Sequence, residues 1–311
     1  MTRLDKLLQT VPDLSPYDLS NDVDYRRWRE AKLEDHPRRV EDLLVEVADP
    51  KALTEAEHGA LLDRVRRANM VVYVSGLGDE PDKGVPRALA ARFGLSNLDN
   101  NYLADDDGLT SLTVRQEGTR RHYIPYTDRP IKWHTDGYYN DARHQIRGLM
   151  LHCVRPAAEG GENALLDHEI AYLRIRDEDP AHIEALMEAD VMTIPPGRDS
   201  EGGERPAAVG PVFSVDPASG SLHMRYTARQ RNIVWKDSSA VRAAVACLER
   251  VLAKEEEFVF RARLESGMGL ISNNVLHDRT GFYDHPERPG RLIYRGRFFD
   301  RIAATGLRDR S

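Results

Sequence analysis

This 311-residue chain predicts an α+β fold with a mainly β core, on three observations. The first third carries apolar residues at helical spacing. After Ile131, short apolar runs alternate with turn residues. One long amphipathic stretch, Ser239 to Lys254, interrupts them. With 41% hydrophobic residues the chain can bury a core as one folded unit over residues 1–311, of which 1–68 form a mostly helical N-terminal extension.

The elements follow in order. Val40, Leu43, Leu44 and Val47 recur at helical spacing, and Thr54 with Glu57 makes a capping box ahead of Leu61, Leu62 and Val65. Asn69 to Ser75 (NMVVYVS) reads as the first buried strand, and Pro86 and Gly94 bracket a short helix. Strand-like runs then fall at 146–154, 164–166, 212–215 and 222–226, with turns at Gly160-Gly161 and in "DPASG". In the long helix Val241, Ala244, Val245, Leu248, Val251 and Leu252 share one apolar face. Strands resume at 258–264, 270–275 and 291–299. This rhythm belongs to an antiparallel sheet or a double-sheet barrel.

Composition narrows the function. No run approaches 18 uninterrupted apolar residues, and the first residues (MTRLDKLLQTVPDLS) include acidic residues and a proline where a signal peptide needs an apolar stretch; a cytoplasmic protein is expected. A net charge of −7 without a long basic run argues against nucleic-acid and membrane partners and for a small-molecule substrate. Cys153 and Cys247 show no paired spacing and sit in apolar segments, as buried reduced thiols do.

The stretch "WHTDGYY" places His134 and Asp136 one residue apart. With 11 histidines and 29 aspartates, a His-x-Asp pair arises by chance about once per chain, so the pair by itself means little. Two histidines and a carboxylate on one face of a metal are the ligand set of non-haem iron(II) oxygenases, and residues i and i+2 at a strand end can supply two of the three. His277, in "LISNNVLHDR" at the end of an apolar run, is the candidate third ligand; a surface or hydrogen-bonded histidine is the alternative. In "RPGRLIYRGRFFD", Arg291, Arg295 and Arg297 fall on one face of a strand, with Leu292, Tyr294 and Phe298 on the other. Such a face is either solvated or, through one forked guanidinium, holds a carboxylate.

"WHTD", "GGEN" at Gly160 to Asn163, "NNVLHDR" and "RLIYRGRFFD", in this order and with the two histidines 143 positions apart, resemble the iron(II)/2-oxoglutarate-dependent taurine dioxygenase (TauD/TfdA-type) superfamily. More narrowly, "YRRWREAKL", "GLSNLDNNY", "GGENALLDHEIAY" and "PVFSVDPASGSLHMRY" resemble the glutarate 2-hydroxylase branch, over most of the chain from Tyr25 to Phe299. The resemblance implies a double-stranded β-helix, a jelly-roll barrel with helices packed outside. It implies His134, Asp136 and His277 as ligands of Fe(II), and Arg291 on the distal carboxylate of 2-oxoglutarate. Arg295 and Arg297 would lie nearer the substrate anion. Asn163 stands where taurine dioxygenase has a threonine, and an amide can donate the same hydrogen bond.

The implied reaction consumes O₂ and 2-oxoglutarate, releases succinate and CO₂, and hydroxylates an unactivated C–H bond. Related halogenases replace the ligating carboxylate by a small residue, so Asp136 favours hydroxylation. A glutarate-like dicarboxylate is the expected substrate, with Tyr138 and Asn101 among the lining residues. A sulfonate, amino acid or trimethylammonium compound is the alternative. Two other classes stay open: a zinc hydrolase on the same three ligands, with no role for Arg291, and a non-catalytic barrel. The branch also implies a homo-oligomer, tetramer or dimer, and the glycine- and proline-rich stretch 195–206 is a possible lid.

Overall fold

Two sheets organise the computed structural model, which describes residues 1–11, 13–100, 104–198, 203–253 and 257–309. The larger has six strands in the order Leu44–Val47, Met70–Ser75, Met268–Ser272, Gly148–Arg155, Leu292–Phe298 and Thr110–Leu112. Its first pair is parallel and the rest antiparallel. The smaller runs Phe260–Ala262, Asn163–Leu166, Leu276–Arg279, Ile131–His134, antiparallel throughout.

Side-chain alternation explains the layering. From Met70 to Tyr73 every residue is fully buried, because both faces of the larger sheet are covered. Met70 and Val72 join Leu149, Leu151 and Leu270 in a cluster that also contains Leu165 and Phe260 of the smaller sheet, so this core lies between the sheets. Val71 and Tyr73 point the other way, with Met150 and Ile271, onto Leu61 and Val65 of the helix Glu55–Ala68 and onto Leu89 and Phe93 in and after the helix Gly84–Arg92. Leu166 and Leu276 of the smaller sheet face a third cluster, built by the N-terminal helices Arg3–Thr10 and Asp22–Asp35 and by the helices His168–Glu178, Pro180–Leu186 and Ser239–Ala253.

The N-terminal helices are tied down at two points. Trp28, fully buried, packs against Tyr17, Tyr25 and Tyr172 at centroid distances of 5.3, 6.1 and 6.4 Å. Each such aromatic pair contributes about 0.5–1.5 kcal/mol beyond its buried area. One turn later Lys32 reaches the interior, where its Nζ lies 2.6 Å from Asp167 Oδ2 and 2.5 Å from Glu169 Oε2. Asp167 also caps the helix His168–Glu178, accepting from the amide of Glu169 at 2.9 Å.

Several boundaries differ from the sequence reading. The capping box at Thr54 forms, and the long helix buries the expected face, with Cys247 buried in it and Val245 only partly covered. Val40–Val47, read as helical, is one short 3₁₀ turn (Val40–Leu43) followed by the edge strand Leu44–Val47. Pairing with Met70–Ser75 outweighs the local periodicity there. The short helix begins at Gly84, two residues before Pro86. The run Leu270–Val275 is not one strand: Met268–Ser272 ends in the larger sheet, Asn274 takes a left-handed conformation (φ 54°), and the chain resumes as Leu276–Arg279 in the smaller sheet. Among the described residues no helix is long and apolar enough to cross a membrane.

Candidate active site

The change of sheet at Asn274 sets the site. It brings His277 onto a strand that pairs with Ile131–His134, where His134 and His277 are direct cross-strand partners with ring centroids 4.2 Å apart. In each ring Nδ1 lies 3.0 Å from the carbonyl oxygen two residues earlier, Lys132 for His134 and Val275 for His277. A carbonyl only accepts, so in each ring Nδ1 is the donor and Nε2 is the ring nitrogen left to ligate. His277 is 7% exposed; His134 keeps one edge open to a cavity, yet its enclosure, reinforced by His277, holds it well below the ordinary imidazole value and therefore neutral.

Asp136 completes the group. It sits just past the strand, in a turn that Gly137 permits (φ 69°), and a Cβ on Gly137 would lie 2.3 Å from Ile146 Cγ1. Asn274 pins the turn: its Oδ1 accepts from the Asp136 amide at 2.8 Å, and its Nδ2 donates to the Asp136 carbonyl at 2.9 Å and to that of Ile146 at 2.7 Å. One side chain thus couples the loop bearing the carboxylate to the crossover leading to His277. Burial would raise the Asp136 carboxyl, but Arg295, His277 and Arg297 hold it well below the usual carboxylate range. Arg295 Nη1 donates to Oδ1 at 3.1 Å. Oδ2 is buried with no hydrogen-bond partner among the described residues and lies 3.9 Å from His277 Nε2. Two imidazole Nε2 atoms and a carboxylate oxygen without a hydrogen bond among the described residues form a donor set that fits a divalent iron.

The three arginines divide. Arg291 precedes the strand Leu292–Phe298, and a bulge at Leu292/Ile293 breaks the alternation that put all three on one face. Arg291 is 5% exposed and lines a small cavity with Gly161 and Asn163, where its Nη1 finds no hydrogen-bond partner. Burial pushes it down to about 10, so it stays a cation at neutral pH, and it has no ion pair among the described residues. Arg295 and Arg297 line a separate cavity of about 450 Å³ together with His134, Asp136 and Tyr138. Arg297 is committed to Asp99 and to the Tyr139 hydroxyl, and Arg295 to Asp136. Asn101 lies outside the described residues.

The cavity has further walls that sequence reasoning missed. Lys132, Arg205, Arg229 and Arg231 also line it, and Asp136 is its sole acidic residue among those described. The recurrence of arginine in "RYTARQR" was the available signal. The described ends of 195–206 reach the cavity too: Pro195, Pro196 and Gly197 line it, and Gly197–Arg198 pairs with Glu204–Arg205. Arg225, buried, donates to five carbonyls, among them those of Tyr138, Met192 and Gly210, and so fixes one wall. A second set of possible donors, Glu178, His182 and Cys247, gathers within 4.8 Å on the outer helices, but Glu178 already takes Arg250.

Comparison with known proteins places the chain in a family. The family described as "Taurine catabolism dioxygenase TauD, TfdA family" matches residues 34–296. A uridine-5'-phosphate dioxygenase from an Amycolatopsis species is 28% identical over 272 residues, covering 82% of this chain and 96% of that protein. One from a Streptomyces species is 32% identical over 206 residues, covering 61% and 69%. The solved structure of an asparagine oxygenase with Fe(II), 3-hydroxyasparagine and succinate superposes with a TM-score of 0.56 at 16% identity, covering 95% of this chain and 91% of that one, a likeness of fold.

Proposed function

The chain belongs to the TauD/TfdA family of dioxygenases, and on that footing we propose that it is an Fe(II)- and 2-oxoglutarate-dependent hydroxylase of a small anionic metabolite. The observation that carries the reading is the convergence of His134, His277 and the Asp136 oxygen that has no hydrogen bond among the described residues; the buried guanidinium of Arg291, in a separate small cavity beside Asn163, adds to it. We also take the six- and four-stranded sheets as the two faces of a double-stranded β-helix.

His134, Asp136 and His277 would hold the iron, and Arg291 with Asn163 the distal carboxylate of 2-oxoglutarate. When bound, iron and 2-oxoglutarate supply the O₂ chemistry that places a hydroxyl on an unactivated carbon and leaves succinate and CO₂. The protein's part is orientation. The Nδ1 bonds fix which imidazole nitrogen faces the metal, Arg295 keeps Asp136 ionised and turned, and Asn274 holds the loop against the crossover. The zinc-hydrolase alternative gives Arg291 nothing to bind. The glutarate reading rests on the branch resemblance; the two named relatives favour a different anion.

The test is anaerobic reconstitution with Fe(II) and 2-oxoglutarate, watching for the weak visible charge-transfer band, then O₂ and a succinate assay over a substrate panel that includes glutarate. A band followed by substrate-dependent succinate supports the reading. No band, and no succinate with any substrate, overturns it.

A further inference from the structure

We infer that the 450 Å³ cavity takes a phosphate monoester of the nucleoside 5'-monophosphate class, its phosphate held by Arg229 and Arg231 with Lys132. The inference rests on the hydroxylase reading for the cavity's identity as the substrate site.

The first support is an excess of unspent positive charge. The chain carries −7 overall, yet this cavity is lined by six lysines and arginines against one carboxylate among the described residues. Three of the six are occupied: Arg295 by Asp136, Arg297 by Asp99 and Tyr139, and Arg205 by the carbonyls of Tyr139, Pro195 and Pro206. Among the described residues, the side chains of Lys132, Arg229 and Arg231 form no ion pair or hydrogen bond, and Lys132 and Arg231 are exposed. A substrate anion would therefore be read by these three, which the sequence reading did not single out, and not by Arg295 or Arg297.

The backbone presents them to the site. Lys132 lies two residues before His134 on the same strand, hence on its side. The segment after Tyr226 runs against that strand through the His134–Thr227 bridge and the Ala228 amide on the Trp133 carbonyl at 2.7 Å. It then turns tightly: the Arg229 amide donates to Thr227 Oγ1 at 3.3 Å, and Gln230–Asn232 forms a 3₁₀ turn. Arg229 and Arg231 thus come off a turn anchored to the strand that carries a candidate iron ligand.

Charge and size select the ligand. A phosphate monoester carries about −1.5 to −2 at neutral pH with three acceptor oxygens, which two forked guanidiniums and an ammonium match better than they match a single carboxylate. The volume of about 450 Å³ lies within the roughly 300–1,000 Å³ of sites that take drug-sized ligands. Tyr123, Tyr138, Tyr139, Ile194 and Pro195 offer flat and apolar wall for a ring. The two named relatives act, by name, on a nucleoside 5'-phosphate, and one of them is matched over 96% of its length.

The test is anaerobic calorimetry on the full chain loaded with Fe(II) and 2-oxoglutarate, titrating UMP, CMP, AMP and GMP, their nucleosides, and glutarate. At least one nucleotide should bind about a hundredfold tighter than its nucleoside. Arg229→Gln and Arg231→Gln should each weaken that nucleotide about tenfold to a hundredfold and leave the nucleoside and the thermal unfolding unchanged. If no nucleotide outbinds its nucleoside, or the variants weaken both alike, the phosphate site is overturned. With the charge-transfer band still present, that result leaves the hydroxylase reading standing; loss of the band would strike the hydroxylase reading instead.

Discussion

His134 and His277, 143 positions apart in sequence, are directly opposed across two antiparallel strands, and both rings are oriented by the same bond to the carbonyl two residues back. Pairing register therefore does for the two imidazoles what a short motif does for His134 and Asp136. A one-residue slip of the strand Leu276–Arg279 would turn His277 to the opposite face.

Asp136→Ala should reduce succinate formation to background, because it removes the one carboxylate of the donor set and leaves Arg295 facing an empty place. Iron content and single-turnover succinate measure it. Turnover near the wild-type rate would take Asp136 off the metal.

Replacing Arg291 by glutamine should raise the 2-oxoglutarate concentration needed for half-maximal rate by about tenfold to a hundredfold, the worth of a charge-assisted contact, with little change in substrate affinity. The two concentration dependences decide it. A change confined to the substrate would take Arg291 off the 2-oxoglutarate carboxylate.

Asn274→Ala deletes three hydrogen bonds at a 2% exposed position and leaves a non-glycine residue at φ 54°. At about 1 kcal/mol per bond, unfolding free energy should drop by roughly 2–4 kcal/mol, and turnover should fall as the Asp136 loop loosens. Asn274→Gly restores backbone freedom without the bonds, so it should remain impaired. Full recovery by glycine would show that conformation alone mattered.

Lys32→Met strands Asp167 and Glu169 in the interior and should cost about 3–5 kcal/mol, read as a lower Tm at pH 7. Burial pushes both carboxyls up, and Lys32 more than reverses it, holding both well below their ordinary values. A group depressed in the folded state adds stability above its unfolded value and loses it as pH falls towards the folded one. Wild-type Tm should therefore hold down to about pH 5 and decline below about pH 4. In the variant the carboxylates no longer have their cation, so acid should cost it less than it costs the wild type. Parallel Tm profiles for the two proteins would place the acid sensitivity elsewhere.

Much was legible in the sequence where the cause is local. The Thr54–Glu57 capping box, the apolar face of Ser239–Ala253 and the mostly apolar run of the strand Met70–Ser75 are each written in neighbouring residues. The ordered motifs likewise singled out His134, Asp136 and His277. Tertiary pairing decided what lay beyond that range. Val40–Val47 carries helical spacing, but an available sheet edge made half of it strand. The chain from Leu270 to Arg279 carries no sign that it divides between two sheets, because the division depends on Asn274 meeting the Asp136 loop from 138 positions away. Alternation placed three arginines on one face, and a bulge put Arg291 in one cavity and Arg295 and Arg297 in another. Residue order alone thus singled out the candidate groups for the chemistry. Register, bulges and ion pairing, which depend on distant segments, decided which of those groups meet and which cations remain unspent.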